Sequence, residues 1–348
     1  MAEKLHVVML PWIAFGHMIP FFQLSIDLAK AGIKVSFVST PGNIKRLPEI
    51  PPSLADLVEF VEFPLPSLDN DVLPEDGEAT VDIPAEKIEY LKIAYDLLKH
   101  PLKQFIADQL PDWIIIDVIP YWMVDIAREN KIALILFSVA SAVALVFLGH
   151  PERLVGAGQK RLRPSWTSMT SKPEWVDFPS SVAYRNDEAV GVFEGIHGEN
   201  ASGITDVERV SRVLNGCQAL AIRSCAEFEG EYLNLYERLI GKPVIPVGLL
   251  PQDKPERKQF TDGRYLVEKG LGVEIERGED GSFTRDGVDK ALKLAMVSAE
   301  GKSLREKASE AAALFGDLKL HQDYYIGNFV DFLKKRNEMF EGHGHISQ

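Results

Sequence analysis

The sequence predicts an α/β fold built on a parallel, doubly wound sheet. Short apolar strands alternate with amphipathic helices through the first half of the chain. Hydrophobic residues make up 46% and charged residues 26% of the 348 residues, as in a globular protein of about two domains. Polar residues also lie at or after the carboxyl ends of two of the predicted strands. Ligands of such sheets bind beyond the carboxyl ends of the strands, so candidate functional residues are expected there.

The elements of the first half follow in a regular order. Strands are predicted where short apolar runs are rich in β-branched or aromatic residues, namely in HVVML, KVSFVST, LVEFVEFPLP, DWIIID and KIALILF. Helices are predicted where apolar residues recur at helical spacing, namely in MIPFFQLSIDLAKAG, PGNIKRL, AEKIEYLKIAYDLLKHPLKQFIADQL and SVASAVALVFLG. The first helix is expected to end at Gly32, and the third to bend or break at Pro101.

The second half is less regular. The segment from Asp206 to Leu250 predicts helix, strand, helix and strand in turn. The charged, proline-containing stretch PQDKPERKQFTDG then predicts a linker. One more strand, LGVEIER, is followed by the helix VDKALKLAMVS and a long helix after Gly301. The predicted domains are residues 1–250, a linker at 251–263, and residues 264–348.

Charge and cysteine content limit the partners and the compartment. A net charge of −13 and a pI of about 5.2 argue against nucleic acid as a partner. The longest uncharged run, residues 132–149, is interpreted as a strand and a helix, so no stable membrane insertion is predicted. Cys217 and Cys225 match no metal-ligand spacing and are interpreted as buried thiols, which favours a cytoplasmic protein without a metal site.

His17 and Asp117 are the candidate catalytic residues. His17 lies between the first strand and the first helix, and Asp117 ends the strand WIIID. A neutral imidazole, with a pKa of about 6.5, suits a general base, and a carboxylate can hold it in one tautomer. Two plainer interpretations stay open: a loop histidine that only bonds to backbone, and an aspartate that caps the following helix.

Other catalytic motifs are missing from the sequence. There is no G-x-S-x-G nucleophile elbow, which weakens the hypothesis of a hydrolase that uses His17 and Asp117. There is also no strand followed by G-x-G-x-x-G or by a P-loop, which argues against dinucleotide and nucleoside triphosphate enzymes.

Several segments carry a resemblance to one family. The opening PWIAFGHMIPFFQLSIDLAKAGIKVSFVSTPGN resembles that of plant UDP-dependent glycosyltransferases, especially the group that adds a sugar to a sugar already on a flavonoid or terpenoid. The resemblance covers most of residues 5–252 and roughly 264–336. It continues in DWIIIDVIPYWMVDIAREN, SCAEFEGEYLNLYERLIGKPVIPVGLLP and YLVEKGLGVEIER.

The resemblance implies a GT-B-like fold and a reaction. The Rossmann-like N-terminal domain would bind a small-molecule acceptor, and UDP-sugar would be the co-substrate with no further cofactor. His17 would deprotonate the acceptor hydroxyl, Asp117 would pair with His17, and the sugar would transfer with inversion. Acceptor-binding candidates lie at or beside the same strand ends: Phe15, Gly16, Tyr121, Trp122, Phe137 and Ser141. The side chains among them could equally pack in the core.

The donor half departs from the family. The family signature that begins W-A-P-Q, contains H-C-G-W-N-S and ends in a D/E-Q pair has no counterpart, so the donor-binding residues are unknown. Only 98 of the 348 residues follow Leu250, too few for a second complete doubly wound domain. We therefore expect a truncated donor domain, impaired or absent transfer, and self-association through surface exposed on the remnant. A non-catalytic acceptor-binding module is the alternative.

Overall fold

The computed structural model describes residues 4–68, 72–155, 162–250, 263–278 and 281–335. Its centre is a sheet in which seven described strands run parallel in the order β3-β2-β1-β4-β5-β6-β7. The strands are β1 (His6–Leu10), β2 (Lys34–Ser39), β3 (Val58–Glu62), β4 (Trp113–Ile116), β5 (Ala133–Ser138), β6 (Ala219–Ile222) and β7 (Val244–Pro246). The predicted α/β class with a parallel, doubly wound sheet is confirmed.

Helices connect these strands and follow the last of them. In the first half they are α1 (Phe15–Lys30), α2 (Pro41–Ile44), α3 (Ile88–Asp96), α4 (Lys99–Gln109), α5 (Met123–Glu129), α6 (Ala142–Leu148) and α7 (Pro151–Val155). They continue with α8 (Asn186–His197), α9 (Asp206–Gly216), α10 (Ala226–Ile240), α11 (Gly263–Glu268), α12 (Arg285–Met296), α13 (Lys302–Phe315) and α14 (Ile326–Lys334). Short 3₁₀ turns lie at Pro52–Leu54, Thr80–Asp82, Ala85–Lys87 and Trp166–Thr170, and a π-helical turn lies at Lys319–Tyr325. None of the helices in the described ranges is long and apolar enough to cross a membrane.

The order of the strands reverses beside β1. From β1 the chain builds outward through β2 and β3, and then returns to add β4 to β7 on the other side. Leu10 of β1 lies beside Ile116 of β4 in the parallel register, so both strands end at the same height. Since ligands of open parallel sheets bind where the strand order reverses, the crevice above β1 and β4 is the expected site.

The sheet forms the centre of the hydrophobic core. The apolar side chains of β4 and β5 are buried, as expected for strands covered by helices on both faces. The last helix, α14, packs back onto this core, where Phe329 and Leu333 are fully buried. The Trp113 indole N–H donates to the Leu333 carbonyl oxygen over 3.0 Å. The end of the described chain is therefore joined to the middle strands of the sheet.

Two predictions for the last part of the chain were wrong. LGVEIER does not form a strand, and it contributes only an isolated bridge between Arg277 and Phe283. The sheet ends at β7 in the described residues, and a strand without a neighbour leaves its backbone groups unpaired. The long helix predicted after Gly301 is divided into α13, the π-helical turn and α14, with the break after Gly316. Of the predicted linker, residues 251–262 lie outside the described ranges, and Gly263 begins α11.

Candidate active site

His17 lies in the first turn of α1. The sequence predicts a histidine in the connection, but the helix already begins at Phe15. The Ala14 carbonyl oxygen accepts the backbone N–H groups of His17 and Met18, each over 2.8 Å, and this closes the first turn. Pro20 falls within the helix, where its ring nitrogen has no N–H to donate. The imidazole is therefore fixed to a regular helix whose start faces the carboxyl ends of β1 and β4.

Asp117 directly follows β4 and faces His17. The distance from His17 Nδ1 to Asp117 Oδ2 is 2.7 Å. The Trp12 backbone N–H donates to the same oxygen over 3.2 Å, and the Val118 N–H donates to Oδ1 over 2.7 Å. Because α5 begins only at Met123, Asp117 is not the cap of that helix. The structure thus brings together the two residues that the sequence singles out.

The pair sets the protonation and the tautomer of the imidazole. Burial lowers the pKa of His17, but the charge of Asp117 and its hydrogen bond outweigh burial, so the pKa lies above its ordinary value of 6.5. Asp117 is 2% exposed and, as a carboxylate, accepts the Nδ1–H. Among the described residues, Nε2 has no hydrogen-bond partner, and the His17 side chain is 32% exposed. In its neutral form His17 therefore presents a lone pair at Nε2 to the crevice.

Two neighbouring residues of α3 support the loops that carry this pair. The Tyr95 hydroxyl donates to the Pro11 carbonyl oxygen over 2.7 Å, within the loop between β1 and α1. Asp96 accepts both terminal nitrogens of Arg209 over 2.9 and 2.6 Å. Arg209 also donates to the Ile119 carbonyl oxygen over 3.0 Å, within the loop after β4. Sequence reasoning missed these residues, because nothing local in the sequence shows that they meet.

Three of the predicted acceptor-binding residues are at least partly exposed, on the side of the fold where the crevice lies. Gly16 is exposed, with open space where a side chain would begin. Phe15 is half-buried beneath the Arg46 guanidinium, 4.7 Å from the ring centre. Tyr121 is half-buried, and Arg209 and Arg212 each lie 5.0 Å from its ring centre.

The other three predicted acceptor-binding side chains have structural partners. Trp122 is 2% exposed and its indole N–H donates to Asp96 over 3.0 Å. Phe137 is fully buried, with its ring 4.8 Å from that of Phe21. Ser141 caps α6 by accepting the Ala144 N–H over 3.2 Å. For Trp122 and Phe137 the structure favours core packing over contact with a ligand, because both lie below the molecular surface.

The structure also contains a cavity of about 530 Å³. Its wall combines α6, α8 and the segment 263–277, and none of the predicted site residues lines it. Apolar residues such as Val143, Phe147 and Val192 line it together with two ion pairs, Arg264–Glu188 and Arg185–Glu274. Local sequence patterns give no sign of this cavity, since it depends on how the last quarter of the chain docks.

Comparisons with known proteins connect this geometry to a family. No family model matches the chain. UDP-glycosyltransferase 91A1 of Arabidopsis thaliana is 44% identical over 270 residues, which are 77% of this chain and 56% of the relative. The chain thus spans about half the length of the curated relatives it matches at this level of identity.

Two further comparisons extend over nearly the whole chain. The soyasaponin III rhamnosyltransferase of Glycine max is 25% identical over 463 positions that cover 96% of each protein. Because the chain has only 348 residues, a long internal stretch of that relative has no counterpart here. A solved structure of Phytolacca americana UGT2 with UDP-2fluoro-glucose and pterostilbene superposes with a TM-score of 0.67. It covers 95% of this chain and 100% of that one at 13% identity, and so shows the fold.

The sequence relatives and the structural neighbours agree. The fold is that of plant GT-B glycosyltransferases, and the His17–Asp117 pair lies where the strand order of its sheet reverses. By sequence and by fold, the chain belongs to the plant UDP-dependent glycosyltransferase family.

Proposed function

We propose that the protein is of the type that transfers a sugar from UDP-sugar to a hydroxyl of a small glycosylated natural product. The observation that carries this proposal is the His17–Asp117 pair at 2.7 Å, with Nε2 of His17 facing the crevice. A histidine with its tautomer fixed by a buried carboxylate is suited to take a proton from a weakly acidic hydroxyl.

The proposed reaction is a single displacement. His17 Nε2 accepts the proton of the acceptor hydroxyl while its oxygen forms a bond to the anomeric carbon. The bond from that carbon to the UDP oxygen breaks on the opposite side, so UDP leaves with the electron pair and the configuration inverts. Asp117 stabilises the imidazolium that forms. UDP-sugar is a co-substrate here, and the proposal uses no further cofactor.

Glycosylated flavonoids or terpenoids are the proposed acceptors. The name of the soyasaponin III rhamnosyltransferase supports a glycosylated small molecule as acceptor. The half-buried ring of Phe15 lies at the start of the helix that carries the base, and that of Tyr121 lies in the segment after Asp117; aromatic rings of this kind can pack against an apolar scaffold. The identity of the sugar is left open in this proposal.

This chain alone is proposed to transfer little or no sugar. We assign acceptor binding to residues 1–250 and treat residues 264–348 as a remnant of the donor domain. The missing signature and the internal stretch without counterpart support this division. Without the donor groups that hold the diphosphate, UDP-sugar lacks a binding half-site and its leaving group lacks charge stabilisation.

Mass spectrometry with a panel of UDP-sugars and glycosylated acceptors tests both parts of the proposal. We expect binding of at least one acceptor by isothermal titration, no measurable UDP binding, and product only at trace levels. Rapid sugar transfer that His17→Ala abolishes would support the role of His17 as the base, but it would refute the claim that the half-site for UDP-sugar is missing. Failure to bind any of the acceptors would contradict the assignment of the acceptor half.

A second candidate function is a non-catalytic binding module. The cavity beside α6 and α8 favours it, because the segment 263–277 lines that cavity although the donor signature is missing from the chain. Its volume falls in the range of small-molecule sites, and its apolar wall and Arg–Glu rim suit an apolar scaffold with hydroxyl groups. Ligand binding that survives His17→Ala but is weakened by Val192→Trp would favour this function. Ligand binding that His17→Ala abolishes and Val192→Trp leaves unchanged would contradict it.

The remnant is also proposed to mediate self-association in the cytoplasm. In the described structure α12 and α13 contain no buried residue, and Leu292, Met296 and Val297 are 54%, 69% and 73% exposed. Such neighbouring apolar side chains tend to be covered by another molecule. Sedimentation should show concentration-dependent dimers or larger species, and Leu292→Glu should shift the equilibrium toward monomers. A monomer at all concentrations would refute this part.

A further inference from the structure

We propose that Tyr95 and the Asp96–Arg209 pair are positioning residues that set the contact between His17 and Asp117. This inference rests on the proposed function in one respect, the role of His17 as the base. It concerns a different group of residues, which lie on α3 and α9 and touch neither reacting group.

The first step is that α3 holds both catalytic loops from one place. Tyr95 and Asp96 are consecutive at the end of this helix. Tyr95 donates to the Pro11 carbonyl oxygen in the loop that leads to His17. Asp96, through Arg209, reaches the Ile119 carbonyl oxygen in the loop that follows Asp117. One rigid helix end therefore fixes two loops that are about a hundred residues apart in sequence.

The second step is that Arg209 is buried and that both of its terminal nitrogens are hydrogen-bonded. Arg209 is fully buried and forms a two-pronged ion pair with Asp96. Its second terminal nitrogen also donates to the Ser202 hydroxyl oxygen over 3.0 Å, and the Trp122 indole N–H reaches Asp96 as well. Arg209 therefore meets the Ile119 loop from a position that Asp96 and Ser202 fix.

The third step links loop position to the base. The His17–Asp117 contact lies beside two other bonds between the same segments: the Asp117 N–H donates to the Leu10 carbonyl oxygen over 3.2 Å, and the Trp12 N–H donates to the Asp117 carboxylate. The Trp12 ring also packs edge-on against Tyr95, with ring centres 5.2 Å apart. A relative displacement of about 1 Å would lengthen a 2.7 Å contact beyond hydrogen-bond range and weaken the influence of Asp117 on the imidazole.

A matched control exists on the same two helices. Lys92 of α3 forms an ion pair with Asp206 of α9, with N–O distances of 2.5 and 2.7 Å. This pair also joins α3 to α9, but neither residue has a described hydrogen bond to the loops of His17 and Asp117. If Arg209 only attached one helix to the other, Lys92→Gln would have the same effect on the base.

The experiment is an NMR titration of the imidazole of His17 in the whole chain with labelled histidine. His17→Ala assigns the signal among the eight histidines. Tyr95→Phe and Arg209→Lys, each checked for native circular dichroism, are expected to lower the pKa of His17 by roughly half a unit or more. Lys92→Gln is expected to leave it within about 0.2 units of the wild-type value. If Arg209→Lys does not fold, Asp96→Asn replaces it, since it keeps the size of the side chain and removes the charge that pairs with Arg209.

The outcomes separate this inference from the proposed function. Equal shifts in all three variants, or no shift in Tyr95→Phe and Arg209→Lys, would overturn the positioning role. A shift in only one of these two would overturn it for the other residue. Asp117→Asn, titrated alongside, reports on the base pair itself. If Asp117→Asn lowers the pKa while the positioning variants do not, the base pair stands and this inference falls.

Discussion

Replacing Asp117 by Asn should lower the pKa of His17 from above 6.5 to below it. Two unit charges 2.7 Å apart attract by about 6 kcal/mol at an effective dielectric constant of about 20. Solvent at the partly exposed imidazole screens much of this attraction, so a fall of about 1–3 pKa units is expected. Burial of the ring, which lowers the pKa, is then no longer opposed by the carboxylate.

The assay is the same histidine NMR titration, with Asp112→Asn as the matched control. Asp112 precedes β4 at its opposite end, and its charge acts on His6. Asp112→Asn should therefore lower the pKa of His6 further and leave that of His17 unchanged. A pKa of His17 that stays above 6.5 in Asp117→Asn would refute the view that the carboxylate controls the imidazole.

The His17–Asp117 pair also contributes to the free energy of unfolding in a way that depends on pH. Because the pKa of His17 is raised in the folded protein, its contribution is fully present below the unfolded value of about 6.5. It is lost as the pH rises through the folded pKa. Chemical denaturation across this window should show the wild type losing its advantage over Asp117→Asn with increasing pH. An advantage that grows with pH would contradict the assigned direction.

Three further predictions concern packing and reactivity. Gly149→Ala should destabilise the protein by about 1–3 kcal/mol, because φ at Gly149 is +92° and a Cβ there would lie 2.6 Å from the Trp175 ring. Gly191→Ala, which adds a Cβ in open space on α8, should stabilise the protein by up to about 1 kcal/mol. Urea titrations that gave both variants the same stability would contradict this pair of predictions. Phe329→Ala should cost about 3–5 kcal/mol, and a loss below about 1 kcal/mol in the same assay would show that α14 does not dock on the core. Burial raises the pKa of Cys225 to about 12, so a disulfide reagent at about pH 8 should label it only after denaturation, and rapid labelling of the native chain would contradict its burial.

The sequence predicted the sheet because its strands are short apolar runs with clear boundaries. It also singled out His17 and Asp117, since parallel strands put the residues after their carboxyl ends at one edge. The start of α1 was placed three residues late, because Phe15 and Gly16 carry no helix-start signal and Pro20 suggested a first turn.

The network that surrounds the pair could not be predicted. Asp96 and Arg209 are 113 residues apart in sequence, and an arginine in a polar helical pattern normally faces solvent. Trp122 and Phe137 were selected because they lie at or beside strand ends, yet whether a side chain there faces the core or the crevice depends on geometry that sequence periodicity does not specify. LGVEIER has the composition of a strand but has no neighbouring strand to complete its hydrogen bonds in the described structure.

The packing of α14 on the sheet bears on where a folded unit can be inserted into or deleted from a chain of this family. Leu250 and Tyr265, on either side of residues 251–262, both belong to the hydrophobic core that α14 completes. Lengthening a connection whose two ends are already anchored costs only about 0.6 kcal/mol for each doubling of its length. The position between these two residues is therefore suited to insertions, because a folded unit added there costs little in chain entropy. Such a position offers protein engineers a place to graft donor domains of different sugar preference.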